Sequence, residues 1–510
     1  MMNMSQKNGA GLRAPKAFKT ALMLSFAAAS SLAAETIELD STYRATSADK
    51  GNSFVFNDVS VESSDTALYG FYMVSTTVKN TTVESVGGAL SLKTIGSGTS
   101  ATKNIYGVYI RAGYNAINTL SGSYNFLCDT TSTSSSGGDV YGVAVTQGSL
   151  YNVSDLTLNV STNSKNGDAY GFNFSNGAYG VTSGDDSVGV KFSNIDASVS
   201  GNGTVSGISG AERVASFQGA LRVYGVEGEN VNALKFDNTS GVVQKTFKLL
   251  GDSTISAVNG NSIRSAVKGA LNIVGDAGAT QLLDGNMYIA AYADTRSSMT
   301  FTQGNFALQN STSKLISFSG VRDIANSKET LYAFDGGSVT FNDDAEFSST
   351  LVELKGGVSL SAGGGKSIAL ENSVLAVSAS QLRADKLAIG AGSTLNASDS
   401  AYIDLGVLSV FEGSGVSLDE SSTLDIGGLE VVFSELESGA TYDLADIFGD
   451  DTTIVLSAVD ENITMSDVQG HSFDVIVSEN GLITTVPEPS LCAAILGLLA
   501  LAFAVHRRRA

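Results

Sequence analysis

Ser338-Val339-Thr340-Phe341, Val358-Ser359-Leu360-Ser361, Val374-Leu375-Ala376-Val377, Thr394-Leu395-Asn396-Ala397 and Val416-Ser417-Leu418 decide the fold. Each is a short alternation of apolar and small polar residues, the period-two pattern of a strand with one buried face. Each follows Ser or Gly, and the openings at positions 339, 358, 374, 394 and 416 recur at roughly 20 residues, the length of one coil of a parallel β-helix. A coil of this kind cannot bury its apolar face alone, so it is stabilised by stacking on the next coil. The expected fold is all-β: a parallel β-helix (β-solenoid), with tandem β-sandwich modules as the alternative.

A second cassette fills the first half of the chain. Tyr69-Gly70-Phe71-Tyr72-Met73, Tyr106-Gly107-Val108-Tyr109-Ile110, Tyr141-Gly142-Val143-Ala144-Val145 and Tyr170-Gly171-Phe172-Asn173-Phe174 share the Tyr-Gly opening. Ser206-Gly207-Ile208 and Tyr224-Gly225-Val226 are further copies, and Tyr179-Gly180-Val181 falls outside the rhythm. Second strands such as Ala89-Leu90-Ser91-Leu92 and Leu156-Thr157-Leu158-Asn159-Val160 lie between them, and Thr131–Asp139 and Ser161–Asp168 read as exposed loops. The longer period suggests a larger coil with protruding loops. Amphipathic runs at Arg322–Phe334 and Leu436–Ile447 are the best helix candidates.

Composition agrees with long ladders. The chain has 510 residues and only three prolines, Pro15, Pro487 and Pro489, all near the ends. Proline lacks the amide hydrogen that a ladder needs, so its absence from the interval suits continuous pairing. A hydrophobic content of 43% argues against disorder. The formal charge of −21 repels nucleic acid and excludes it as a partner.

The two ends carry addresses. Lys7, Arg13, Lys16 and Lys19 precede the apolar stretch Ala21–Ala29, and Ser31-Leu32-Ala33 offers the small residues a signal peptidase requires. Cleavage after Ala33 or Ala34 is expected, making 1–33 a signal peptide. At the other end Val486-Pro487-Glu488-Pro489 is followed by an apolar run from Leu491 to Val505 and then by Arg507, Arg508 and Arg509. As a helix the run would reach about 22 Å, short for a hydrocarbon core of about 30 Å. The arginines would hold that end on the cytoplasmic side.

This tail resembles the PEP-CTERM sorting signal of Gram-negative bacteria. The resemblance implies a membrane-inserted precursor, processing by an exosortase-type enzyme near the Pro-Glu-Pro motif, and delivery to the cell surface, outer membrane or extracellular matrix. Between the signals, the texture resembles the β-helical passengers of autotransporter-like surface proteins, without the C-terminal membrane barrel of that class. The expected organisation is therefore a Tyr-Gly repeat region at 34–250, solenoid coils at 251–427, a C-terminal cap at 428–485 and the sorting signal at 486–510, with 491–505 as its membrane segment.

Residues for catalysis are scarce. His471 is the single histidine before the tail, and Ser472 beside it is adjacent only in sequence. Zinc sites need several His or Cys ligands, and Cys128 stands alone outside the tail. Cys128 alternates with Tyr124 and Phe126, so it reads as a small buried hydrophobe, with an intermolecular disulfide as the alternative. The acid pairs Asp185-Asp186, Asp343-Asp344 and Asp450-Asp451 lie in apparent turns and are the candidates for calcium. No other cofactor is expected, and turn capping explains these acids without a metal.

The functional expectation is a non-enzymatic surface or matrix protein, structural or adhesive, that meets extracellular polysaccharide or another surface ligand. A calcium-dependent surface binding module and a polysaccharide-acting enzyme on a β-helix are the alternatives. The absence of tryptophan and the scarcity of basic residues count against the last.

Overall fold

The computed structural model describes residues 35–434, apart from 75–80, 98–101, 112–114, 132–136, 147, 176–188, 227–229, 293–294 and 327, together with 441–443, 463–469, 472–477 and 482–486. The chain is a parallel β-helix. Tyr69 pairs with Tyr106, Tyr106 with Tyr141, Tyr141 with Tyr170 and Tyr170 with Ser206, all in parallel. Antiparallel pairing would mark a sandwich; among the described residues it is confined to Arg322–Asp323 with its neighbouring strand, to the isolated bridge Tyr292–Thr295, and to the C-terminal end.

Three ladders run the length of the molecule. One coil shows how they connect: Leu68–Val74 lies on the first face, and the 15-residue strand Thr82–Gly96 then crosses the second and third faces. The bend between those faces needs a residue of positive φ. Asp58, Gly88, Gly122, Asp155, Asn194 and Gly219 supply it in successive coils, with φ of 50°, 89°, 110°, 51°, 54° and 129°. Asp, Asn and Gly are the residues that tolerate this region most easily. Asn194 Nδ2 also donates to Asp155 Oδ1 at 2.7 Å, tying two corners together along the axis.

The Tyr-Gly cassettes form the first face, and the stacking gives their glycine a reason. A Cβ added to Gly142 would lie 2.6 Å from the carbonyl oxygen of Gly171, and one added to Gly171 would lie 2.6 Å from that of Gly207. One added to Gly207 would lie 2.7 Å from the carbonyl oxygen of Ala233. The side chain is excluded by the backbone of the next coil. The cassette at Tyr224 is a correction: Tyr224 ends the third-face strand Gly219–Tyr224, and Asn232-Ala233-Leu234 continues the first face instead.

The later coils are shorter. Leu331, Leu351, Val374, Thr394 and Gly415 are partners on the second face, spaced at 20 to 23 residues. Val339 pairs with Leu360 and Leu360 with Leu382 on the third face. The five openings that signalled the coil therefore belong to two ladders, which is why their spacing dips between 358 and 374.

Interior side chains fill the coil in columns. Phe71, Val108, Val143, Phe172, Ile208, Leu234, Ile263, Met287 and Phe318 succeed one another on the first face, each fully buried. Tyr124, Phe126 and Cys128 share a buried face, as their alternation implied. Burial pushes the Cys128 thiol up, and Thr94 and Thr162 flank it on the neighbouring coils.

Four further readings need correction. Arg322–Phe334 is not a helix: Arg322–Asp323 and Lys328–Asp335 are strands around the 3-10 turn Ile324–Asn326. Thr330–Phe334 is buried at every position, so the strand alternation is missing and the stretch mimics a helix. Within Leu436–Ile447, Thr441–Asp443 is a strand, and the rest lies outside the described residues. The loop Ser161–Asp168 is not uniformly exposed, because Thr162, Ser164 and Gly167 are buried; Thr162 Oγ1 donates to Gly138 O at 2.7 Å. Of Thr131–Asp139, residues 132–136 lie outside the described residues and Gly138 is buried.

In the segment expected as a cap, Leu429–Phe433 still adds a parallel rung, pairing with the 402–411 strand and with Ile463–Asp467. Ser472–Val477 and Leu482–Val486 then pair antiparallel.

Candidate functional site

The first face is where side chains gather outside the core. Along it the rung spacing of about 4.8 Å fixes the distance between equivalent residues, and the tyrosines stack accordingly. Ring centroids of Tyr69 and Tyr106 are 5.0 Å apart, those of Tyr106 and Tyr141 5.0 Å, and those of Tyr141 and Tyr170 5.1 Å, with interplanar angles of 9°, 2° and 9°. The cassette glycine and the residue after it are both buried, so the tyrosine that follows them returns to the same surface as the first. Tyr72 lies 5.4 Å from Tyr69, and Tyr109 lies 5.0 Å from Tyr106.

At the N-terminal end of this stack a hollow of about 320 Å³ is lined by Arg44, Tyr69, Tyr72, Tyr106, Tyr109 and Arg111. Arg44 is in register with Tyr72, and its guanidinium carbon sits 5.8 Å from that ring's centre, within cation–π range. Burial and neighbouring phenols hold the Tyr69 hydroxyl above its ordinary value, with Arg111 opposing them. The Tyr69 phenol therefore stays neutral at physiological pH, able both to donate and to accept a hydrogen bond.

Beside the tyrosine row runs a ladder of polar side chains that the backbone uses. Asn104, Asp139 and Asp168 each precede a first-face strand, and each bonds an amide of the next coil. Asn104 Oδ1 accepts from Asp139 N at 3.0 Å, Asp139 Oδ1 from Asp168 N at 3.1 Å, and Asp168 Oδ1 from Thr204 N at 2.7 Å. Tyr170 Oη donates to Asp168 Oδ2 at 3.3 Å. Burial, the Asp168 charge and this bond push the Tyr170 hydroxyl up to about 12.

Further along, Glu212 occupies the 3-10 turn Ala211–Arg213, which opens at Gly210 in the left-handed region. Glu212 Oε2 accepts from Asp237 N at 3.0 Å, and Arg213 Nε lies 3.8 Å from Oε1. Burial outweighs both and raises the carboxyl to about 7. The neutral form is thus favoured on folding. Stability from this group is fully present below about pH 4.5 and falls as pH rises to about 7, by roughly 3 kcal/mol in all. Glu212→Gln is expected to remove that slope and raise the melting temperature at pH 8. A pH series of thermal melts checks it, and identical slopes in both proteins would refute it.

The acids chosen from sequence lie elsewhere. Asp343 is buried, accepts from Asn310 N at 3.0 Å and faces Lys366 Nζ at 3.7 Å. Asp344 Oδ1 accepts from Ser367 N at 2.8 Å and from Ser367 Oγ at 3.1 Å. Both join one coil to its neighbours. Asp185, Asp186, Asp450, Asp451 and His471 lie outside the described residues, as do Ser31, Ala33, Ala34, Pro487, Glu488, Pro489, Arg507, Arg508 and Arg509. Val486 ends the strand Leu482–Val486. Among the described residues no cluster of three or more His, Cys, Asp or Glu is arranged for a metal, and no helix is long and apolar enough to cross a membrane. The segment 491–505 is not among them.

Sequence reasoning found the tyrosines as repeat markers and missed that they form a surface. Arg44 and Arg111 carried no signal, because only the stacking of coils brings them to the same hollow. Comparison with protein-family models, curated proteins and solved structures returns no match.

Proposed function

We propose that the chain is an exported scaffold of the cell surface or its matrix, acting by display and adhesion without catalysis. The observation that carries this reading is the run of the three parallel ladders from Thr36 to Asp467, which continues across every described coil. At about 4.8 Å per rung such a stack extends roughly 70 Å, long enough to hold a surface away from its point of attachment. Its interior is filled by side chains, so the outer faces are what a partner would meet.

The route is proposed from the ends of the sequence. Signal peptidase would act after Ala33 or Ala34, the 491–505 segment would hold the precursor in the inner membrane, and an exosortase-type enzyme would read Val486, Pro487, Glu488 and Pro489. Alanine at positions 487–489, and separately at 507–509, is expected to lower surface labelling of the full chain by a membrane-impermeant reagent at least fivefold, with total protein unchanged. Equal labelling in all three forms would sink the sorting route. Recovery of the unsubstituted chain in the cytosol would sink export altogether.

A further inference from the structure

We infer that the hollow between Arg44 and Arg111 is a binding site for a carboxylated saccharide of the uronate class. The inference gives the displayed surface a ligand and so rests on the scaffold reading for its biological setting; its chemistry stands on the hollow alone.

Charge is the first argument. On a chain of net charge −21, Arg44 and Arg111 line one hollow, both are exposed, and among the described residues no carboxylate is paired with either. Guanidinium groups present planar pairs of donors that match a carboxylate. The rest of the molecule is acidic and repels an extended polyanion such as nucleic acid, so the attraction is limited to a short, locally charged ligand.

The tyrosines supply the second argument. Tyr69 and Tyr106 stack at 5.0 Å and 9°, Tyr106 and Tyr109 at 5.0 Å and 25°, and Arg44 sits over the ring of Tyr72, so the phenol edges and hydroxyls are what the surface offers. Four such hydroxyls in one hollow suit a ligand rich in hydroxyls, each partner both donating and accepting. The rungs hold the rings in place before a ligand arrives, which lowers the ordering cost of binding. The stacking repeat is also close to the length of one pyranose unit in an extended chain. A volume of about 320 Å³ lies at the small end of ligand sites and matches one or two sugar rings. A bare inorganic anion would leave the aromatic lining without a role.

Isothermal titration of the full chain with trigalacturonate tests the proposal, with its methyl ester and inorganic phosphate as comparators. Arg44→Gln and Arg111→Gln change exposed side chains and should leave the thermal melt unaltered, while Tyr72→Phe removes one hydroxyl and keeps the ring. Trigalacturonate is expected to bind, the methyl ester at least tenfold more weakly, and each arginine variant to lose at least tenfold. Tyr72→Phe should weaken binding with no change in salt dependence. No binding of trigalacturonate, equal binding of the ester or of phosphate, or arginine variants that bind like the parent would each overturn the site. None of these outcomes depends on where the protein is sorted, so failure here and failure of the scaffold reading are separable.

Discussion

Phe318→Ala is expected to cost about 3–5 kcal/mol, the range for removing a fully buried phenylalanine from a packed core. Phe318 is the centre of an aromatic cluster, with Phe347 at 4.4 Å, Tyr332 at 5.3 Å, Phe341 at 5.7 Å and Phe334 at 6.4 Å. These residues come from all three faces, so no single strand can shift to fill the space. The main chain around them is fixed by ladders above and below: Phe318 is in register with Met287 on one side and Phe347 on the other. Tyr332 adds a constraint, because its buried hydroxyl donates to Ser319 O at 2.8 Å and is within 3.0 Å of Met287 O. In a stack where each coil touches mainly its neighbours, the loss should be local. Hydrogen exchange is expected to accelerate at 286–289 and 344–348 while the Tyr69–Tyr109 coils keep their protection. Uniform loss along the whole chain would contradict the one-dimensional stacking described here.

Gly142→Ala is expected to cost about 1–3 kcal/mol, although it adds only a methyl group. The methyl would meet the Gly171 carbonyl oxygen at 2.6 Å and Val160 Cγ2 at 2.9 Å. The first is backbone held by the parallel pairing of Val140–Val145 with Ala169–Phe174, so it cannot swing away like a side chain. Relief requires the two coils to separate, which lengthens the hydrogen bonds of that rung. Denaturant titration with exchange read at 140–145 and 169–174 checks this. A variant within about 0.5 kcal/mol of the parent would show that the column of glycines is not required by close approach of the coils.

Much of the fold was legible because strand alternation is a local property. The pattern in Ala89-Leu90-Ser91-Leu92 or Tyr124-Asn125-Phe126-Leu127-Cys128 needs no partner to be recognised, and the structure buries Leu90, Leu92, Tyr124, Phe126 and Cys128 as alternation requires. The helix expected at Arg322–Phe334 failed for the same reason in reverse. Five consecutive buried residues, Thr330–Phe334, erase the alternation, and a local rule has nothing left to read. Assigning Val339 and Val374 to one series failed differently, since the choice of ladder depends on pairing between coils.

By itself the sequence determined that this chain is built of short alternating strands in coil-length repeats, that the Tyr-Gly cassette marks one series of them, and that Cys128 lies on the buried face of its strand. Those follow from residue type and short-range spacing. Parallel stacking, as against sandwich modules, was decided by the pairing between coils. Only the tertiary structure decided which strands share a face, why the cassette needs glycine, and that Arg44, Tyr69, Tyr72, Tyr106, Tyr109 and Arg111 meet in one hollow. The reason is geometric. In a solenoid, neighbours along the axis are separated by a whole coil of chain, and the length of each coil varies with its loops. Register across that gap is set by packing and backbone hydrogen bonds between coils, which no local pattern contains.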